Sequence, residues 1–239
     1  MILKILKSRK WLIAAVSVIA LIFCVFIGNS IFNEIKSEKI AKNSNRYNIS
    51  HYSVSVLKNN SRKIGNFDFS NTHLLDWNIV QAASKADNLP VIGEISVPNL
   101  EVHLPIFLGV SDSTIAVGAG TMKPGQKMGE RNFALASHNL IDNAPKLLFS
   151  PITHIKPGMK VYLTDKSKIY KYEITHQETV SANRIDVIDD HSGKNELTLV
   201  LCSNEAGVAR LIVHGVFERS ESYDSAPAQL RKSFLEKYD

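Results

Sequence analysis

The feature that most restricts this chain is an uncharged apolar run near the N-terminus, Trp11–Gly28. A helix needs about 20 apolar residues to cross the roughly 30 Å hydrocarbon core of a bilayer, and this run is just long enough. The segment before it carries four cations and no acid: Lys4, Lys7, Arg9 and Lys10. The positive-inside rule therefore predicts that residues 1–10 form a cytoplasmic tail, and that residues 11–28 form a single-pass signal anchor in the cell membrane with everything after Gly28 outside.

A cleaved signal peptide is the alternative interpretation of the same run. It is disfavoured because the run exceeds the usual apolar region of a signal peptide, and because no convincing A-x-A cleavage site follows. With an anchor, Cys202 is the one cysteine outside the membrane, since Cys24 lies within the span. No intrachain disulfide can then form there, and a lone thiol outside the cell is either a liability or a reagent.

Cys202 lies at the end of a strand pattern. In Glu196–Cys202, three leucines alternate with Thr198, Val200 and the cysteine, which is the period of a strand buried on one face. A loop and a second strand, Arg210–Phe217, follow. If the two strands pair as a hairpin, Cys202 and Arg210 face each other, and a nearby cation favours a nucleophilic thiolate. On the hairpin alone, a buried Cys that packs as a small apolar residue fits equally well.

The remaining sequence predicts one strand-rich domain with flanking segments. Residues 29–71 are polar and without a sustained period, which indicates an extracytoplasmic stalk. We expect a helix over residues 72–89, stopped by Pro90, and a barrel over residues 90–219. About eight short strands with few helices are typical of a closed or nearly closed β-barrel. The last segment, residues 220–239, is a tail that we expect to pack against the barrel through a short helix.

Three motifs in this order, ALASHN, TLVLC and RLIVHG, resemble those of the sortases, cysteine transpeptidases of Gram-positive cell surfaces, and are nearest to the housekeeping class A. The resemblance covers roughly Val91–Phe217. The family's usual pattern is TLxTC, and this chain has Leu201 where Thr is expected before the cysteine. The resemblance implies a closed barrel of mainly antiparallel strands and selects His138, Cys202 and Arg210 as the catalytic residues.

The resemblance also implies the reaction. Cys202 would cleave an LPxTG-like sorting signal between Thr and Gly as a thioester, with His138 moving protons and Arg210 holding a carbonyl or oxyanion. An amine of the cell-wall precursor lipid II would then accept the surface protein, without a cofactor. Two alternatives stay open: a cysteine peptidase or L,D-transpeptidase-like enzyme, and a non-catalytic membrane-anchored binding module. A pilin-polymerising sortase is disfavoured, since neither a C-terminal transmembrane segment nor a recognisable lid is visible.

Other functions have little support in the sequence. The net charge of +5 comes largely from the anchor's flank, and the chain has no basic stripe with interleaved aromatics, so we predict no nucleic-acid partner. Cys202 has no histidine at zinc-ligand spacing, and we predict no metal site. His103, His154, His176 and His191 show no partner in the sequence, and His214 lies roughly 13 Å from Arg210 along its strand.

Calcium dependence, known for some class A sortases, is a separate question because it uses acidic loops. The segment before His138 offers only Glu130. Further acids lie in or near a later loop: Asp186, Asp189, Asp190 and Glu196. A hard cation needs several oxygen ligands, and we therefore expect no calcium dependence.

Overall fold

The structure is a computed structural model that describes residues 2–69, 72–140, 144–202 and 208–238. The chain divides into two compact units, residues 1–38 and 39–239. Helix α1 spans Ile2–Asn45. Among the described residues, this N-terminal helix is the one that is long and apolar enough to cross a membrane. Apolar side chains of the predicted anchor, including Phe23 and Phe26, are exposed along it.

The second unit is built on eight strands that close into a barrel in the order β1-β2-β3-β4-β7-β8-β6-β5. The strands are β1 Val91–Val97, β2 Val102–Phe107, β3 Ala119–Thr121, β4 Asn132–Ala136, β5 Lys160–Thr164, β6 Lys168–Ser181, β7 Glu196–Cys202 and β8 Ala209–Ser222. Neighbouring strands run antiparallel except for the pairs β2–β3 and β4–β7, which are parallel. The predicted mainly-β closed barrel is therefore confirmed.

Side chains on each strand point alternately into and out of the barrel, and those that point inward fill its interior. Leu197, Leu199 and Leu201 of β7 are fully buried in the main core, as the period-2 pattern predicts. Thr198 and Val200, on the opposite face of β7, are also buried, because the connection between β6 and β7 covers them. A second, smaller apolar cluster forms on that outer face, between the barrel wall and the connection.

The other helices are short: α2 Val54–Asn60, α3 Trp77–Lys85, α4 Asp112–Ile115 and α5 Ala228–Ser233. The helix expected over residues 72–89 begins only at Trp77, because Asp76 caps it by accepting a 2.8 Å hydrogen bond from the Ile79 amide. Helix α4 begins with reciprocal capping bonds between Ser111 and Thr114.

The segment expected to be a stalk, residues 29–71, differs from that expectation after residue 38. Ile40, Tyr47, Ile49 and Leu57 are buried against the barrel and belong to its core. The polar residues that suggested a solvated linker are partly buried as well. Asn43 and Asn60 point inward, and Asn60 donates a 2.9 Å hydrogen bond to the Val91 carbonyl. A polar composition here therefore reflects hydrogen bonds to the barrel rather than exposure to water.

The C-terminal segment that follows β8 packs against the barrel. Phe234 is completely buried. The tail also joins the N-terminal segment, since the Asn48 side-chain amide donates a 2.9 Å hydrogen bond to the Glu236 carbonyl. Asn45 exchanges two bonds with the backbone of Tyr238, at 2.8 and 3.0 Å. The two ends of the folded unit thus cover the same side of the barrel together.

Candidate active site

Cys202 is placed by the parallel pairing of β4 and β7. The register sets Ala136 of β4 opposite Val200 of β7, and His138 and Cys202 each follow two residues later. The Asn139 side-chain amide donates a 2.8 Å hydrogen bond to the Cys202 carbonyl, which continues the contact beyond the last paired residues. Two residues that are 64 positions apart in the sequence are thereby held next to each other at the same end of the barrel.

The backbone around His138 is fixed on both sides. The Ser137 amide donates to the Val200 carbonyl at 3.2 Å, and the His138 carbonyl accepts from the Phe149 amide at 3.0 Å. The Ser137 hydroxyl donates to the Gly118 carbonyl at 2.7 Å. The His138 side chain itself is buried, with 6% of the residue exposed. The bonds fix the backbone that carries the imidazole, and burial limits the access of water to the ring.

Arg210 comes from the third strand. In the antiparallel pair β7–β8 it is the direct partner of Cys202, as the hairpin pattern predicted. Its Nη1 donates a 3.2 Å hydrogen bond to the carbonyl of Ala209. Cys202 and Arg210 are both partly exposed, whereas Leu201 faces the core. The structure therefore brings all three predicted site residues to one end of the barrel, from strands β7 and β8 and the segment after β4.

These residues line a groove of about 590 Å³. Its apolar walls come from the outer cluster, with Ala136, Val200 and Ile212 on the barrel and Val187 on the β6–β7 connection. The size suits a short extended peptide or a small molecule. Apolar walls beside a thiol, an imidazole and a guanidinium can hold an apolar segment while presenting one polar bond to reactive groups.

One wall of the groove was missed by the sequence analysis. Phe69, which lies in the predicted stalk, lines it together with Thr72 and His73. His73 is anchored to Asp112, whose carboxylate accepts one 2.8 Å hydrogen bond from the His73 amide and lies 2.8 Å from the His73 Nδ1. The position of these residues depends on a long-range contact with α4. Their segment shows no regular pattern of apolar residues, so no local signal in the sequence predicts this contact.

Two of the acidic residues considered for calcium, Asp186 and Asp190, are engaged by basic side chains. Asp190 accepts from Lys123, whose Nζ also donates to the Ile188 carbonyl at 2.7 Å. This contact with Lys123 holds the pKa of Asp190 below its usual value. Arg184 likewise lowers the pKa of Asp186 through hydrogen bonds of 2.6 Å. Lys123 thus places a positive charge between the β3–β4 and β6–β7 connections.

Comparison with known proteins gives one consistent result. A family model described as Sortase domain matches residues 95–218, which include His138, Cys202 and Arg210. Sortase A of Streptococcus agalactiae is 40% identical over 234 residues, covering 96% of this chain and 93% of the relative. Sortase A of Listeria monocytogenes is 32% identical over 218 residues, covering 90% of this chain and 93% of the relative.

Solved structures agree with the sequence relatives. The crystal structure of Listeria monocytogenes sortase A superposes with a TM-score of 0.56 and 34% identity, covering 62% of this chain and 99% of that one. Sortase C-3 of Streptococcus pneumoniae shares the fold at 20% identity, with a TM-score of 0.56 and coverage of 85% and 93%. The matching family model, the relatives and the barrel together show that this chain belongs to the sortase family of cysteine transpeptidases.

Proposed function

We propose that the chain is a membrane-anchored sortase that cleaves an LPxTG-like signal between Thr and Gly and transfers the protein to an amine of lipid II. The observation that carries this proposal is the meeting of Cys202, His138 and Arg210 at one apolar groove. A thiol, an imidazole and a guanidinium in this arrangement provide a nucleophile, a proton carrier and an oxyanion donor.

The first half-reaction forms a thioester. The Cys202 thiolate attacks the Thr carbonyl carbon, and the electron pair of the C=O bond moves to oxygen to give a tetrahedral intermediate. When that pair returns, the C–N bond to Gly breaks, and His138 as imidazolium gives its proton to the departing amine. The fixed backbone on both sides of His138 keeps the imidazole where the leaving amine forms.

The second half-reaction reverses these roles. The incoming amine attacks the thioester carbon, the now neutral His138 accepts a proton from that nitrogen, and the Cys202 thiolate leaves. The ion pair of Cys and His is thereby restored at the end of each cycle. Burial of His138 limits the water that could compete with the amine, which favours transfer over hydrolysis.

Arg210 acts on the developing oxyanion in this proposal. It is the cross-strand partner of Cys202, so it lies directly opposite the residue that carries the attacking sulfur. The planar guanidinium carries several N–H donors, so it can give two hydrogen bonds at once to a carbonyl oxygen or to a pair of oxygens. The ammonium group of a lysine is a point charge and cannot do so. The apolar walls at Ala136, Val200 and Ile212 would hold the Leu and Pro of the signal.

An N-terminal membrane helix would hold the enzyme where its two substrates are found. Both substrates, an exported protein with a sorting signal and a lipid-linked cell-wall precursor, are at the outer surface of the cytoplasmic membrane. We propose that residues 1–10 are cytoplasmic and that the barrel is outside, on the basis of the cations before the apolar run. The anchor would raise the local concentration of enzyme near both substrates.

Product analysis tests this function. The full chain in detergent is incubated with an LPxTG peptide, with and without an added amine. We expect cleavage between Thr and Gly, and conversion of the Thr fragment to an amide when the amine is present. Cys202→Ala should stop both, whereas Cys24→Ala, which removes the chain's other thiol, should change neither. Release of only the free acid at all amine concentrations would instead identify a peptidase, and absence of any turnover would favour a binding module.

A further inference from the structure

A cluster of potential metal ligands lies on strands β6 and β8, outside the catalytic groove. His176 and His214 are direct cross-strand partners. Their rings stack with centroids 4.5 Å apart and planes 18° from parallel. Glu178 follows on the same face of β6, and its Oε1 lies 3.3 Å from the His214 Nε2. One potential ligand atom from each of the three side chains lies within 4.8 Å of the other two.

A β-bulge sets the direction of His176. The β6–β8 register shifts between Ile174 and His176, so Thr175 is an extra residue on β6. Such bulges re-aim side chains that would otherwise follow the regular pleat. Here the Thr175 hydroxyl donates a 3.1 Å hydrogen bond to the His214 carbonyl, directly across the pair. The bulge therefore ties the two histidine positions together through one hydroxyl group.

The same hydroxyl determines the tautomer of His176. Thr175 Oγ1 lies 3.0 Å from His176 Nδ1. A hydroxyl has one proton, and this one is used in the bond to the His214 carbonyl, so Thr175 can only accept from the imidazole. Nδ1 of His176 then carries the proton, and Nε2 keeps its lone pair when the ring is neutral. This arrangement is the one found in metal sites, where an outer hydrogen bond fixes the ring and leaves the other nitrogen for the metal.

We propose that His176, Glu178 and His214 bind a divalent transition-metal ion, with Zn²⁺ the ion that the ligands fit best. Two imidazoles and one carboxylate are a ligand set of zinc sites that keep a fourth position for water. Ligands at about 2.0–2.1 Å from a tetrahedral zinc are about 3.3–3.5 Å apart, and the Glu178–His214 separation already has this value. Small adjustments of the exposed Glu178 side chain and of the strand pair would close the remaining distances, which are at most 4.8 Å between ligand atoms.

The chemistry of the three ligands also selects among metal ions. Two imidazoles and one carboxylate suit Zn²⁺ and related transition-metal ions. Hard cations such as Ca²⁺ prefer oxygen ligands and do not fit two imidazoles.

The site would clamp the two longest strands of the barrel together. Arg210 lies four residues before His214 on β8, roughly 13 Å away at about 3.3 Å per residue, so the site is distinct from the catalytic centre. Strand β6 leads from Glu178 into the β6–β7 connection that forms one wall of the groove. A metal bridging β6 and β8 would stabilise this wall and the strand that carries Arg210.

Metal titration tests the proposal in the full, untagged chain in detergent. All proteins carry Cys202→Ala, because the catalytic thiol is itself a metal ligand. We expect calorimetry with Zn²⁺ to give one saturable site, and Co²⁺ to give the visible absorption of a low-coordinate site with nitrogen ligands. Both signals should accompany a rise in melting temperature. Failure of this protein to bind either metal would overturn the proposal, whatever the outcome for peptide transfer.

Ligand variants give the specific test. His176→Gln, Glu178→Gln and His214→Gln should each weaken Zn²⁺ binding more than tenfold, since even outer partners of ligands contribute 10–100-fold. His154→Gln is the matched control, because His154 is also exposed but lies on another part of the surface. Thr175→Val should weaken binding less than the loss of a ligand does. Unchanged affinity in both His176→Gln and His214→Gln, with circular dichroism like that of the parent, would show that the cluster is only a cross-strand pair.

Discussion

The outer surface of this barrel is used differently on two of its sides. Over β7 and β8, apolar residues such as Val200 and Ile212 face a groove of about 590 Å³ that a ligand can enter. Over β1, the outward residues Ile92, Glu94 and Ser96 are buried by other parts of the chain. These parts are residues 39–71, which we call the covering segment, and the C-terminal tail. An apolar outer face of the barrel is therefore either a binding site or a packing surface, depending on whether another part of the chain covers it.

Polar groups on the two sides differ accordingly. On the open side, Cys202 and Arg210 are partly exposed and available for chemistry. On the covered side, Glu94 is buried, and its Oε2 accepts a 3.3 Å hydrogen bond from the Ile49 amide of the covering segment. Burial raises the pKa of Glu94 well above its ordinary value. In the proposed mechanism Cys202 and Arg210 take part in the reaction, whereas Glu94 is held by its contact with the covering segment.

The largest expected effect separates activity from stability on the open side. Cys202→Ala should abolish both cleavage and transfer, because no other group forms the thioester. The melting temperature should stay within a few degrees, since a small change at a partly exposed strand end costs on the order of 1 kcal/mol. His138→Ala should behave alike in transfer assays. Melting is followed by circular dichroism. Measurable turnover by Cys202→Ala would rule out covalent catalysis at this residue.

The second prediction concerns the covered side. Deleting residues 1–38 should leave a soluble, folded enzyme, because residues 39–239 form one compact unit. Deleting residues 1–71, the boundary that the sequence suggested, also removes the core side chains Ile40, Ile49 and Leu57. Each such side chain contributes about 1.5–3 kcal/mol, which together is a large share of a typical folding free energy of 5–15 kcal/mol.

The two truncated proteins are compared by urea unfolding and size-exclusion chromatography. We expect the shorter deletion to unfold cooperatively as a monomer, and the longer one to aggregate or to unfold at much lower urea. Equal stability of the two proteins would mean that residues 39–71 do not serve as a cover.

The third prediction tests the shape of the Arg210 side chain. Arg210→Lys keeps the charge but loses the planar fork of donors. Removing one oxyanion donor of this kind costs about 2.7–4 kcal/mol, or roughly 10²–10³ in rate. We therefore expect a fall of that size in kcat/KM for peptide, with little change in the rate of thiol alkylation. Near-normal turnover would leave Arg210 with an electrostatic role only.

The smallest expected effect is a pH dependence on the covered side. A carboxyl whose pKa is raised in the folded state binds more protons folded than unfolded, so stability falls as pH rises from the unfolded value of about 4.3 toward the folded pKa. The slope is at most about 1.4 kcal/mol per pH unit. Tyr52, Tyr223 and Tyr238 interact electrostatically with Glu94, and because burial raises their pKa values they stay neutral in this range.

Glu94→Gln removes this titration and keeps the shape of the side chain. The variant should match the parent near pH 4 and become more stable than the parent as pH rises, as measured by urea unfolding at a series of pH values. A constant difference between the two proteins across that series would contradict a buried, protonated Glu94.

Much of the fold could be predicted because strands have a local signal. Leu197, Leu199 and Leu201 show the period of two directly, and the pairing of Cys202 with Arg210 follows from a hairpin between adjacent strands. The position of His138 beside Cys202 could not be worked out in this way. It depends on a parallel pairing of β4 with β7, whose register no sequence pattern shows, and only the resemblance of ALASHN to a known motif selected this histidine.

The covering segment was misread for a physical reason. Its asparagines, including Asn43, Asn48 and Asn60, are typical of a solvated linker, but they donate hydrogen bonds to backbone carbonyls of helix α3, the C-terminal tail and the barrel. The histidine cluster was missed for a related reason, since His176 and His214 lie 38 residues apart and meet only through the β6–β8 register. Composition reports the chemistry of a segment, and only the fold decides what that chemistry contacts.

The most direct test of the account is the mass of the acyl-enzyme. The full chain is incubated with an LPxTG peptide without an added amine, quenched in acid, and examined by intact-mass and peptide mass spectrometry. We predict an adduct of the fragment ending at Thr, located on Cys202, labile to hydroxylamine, present in Cys24→Ala and absent from Cys202→Ala. An adduct on another residue, or product formation by Cys202→Ala, would contradict the assignment of Cys202 as the nucleophile.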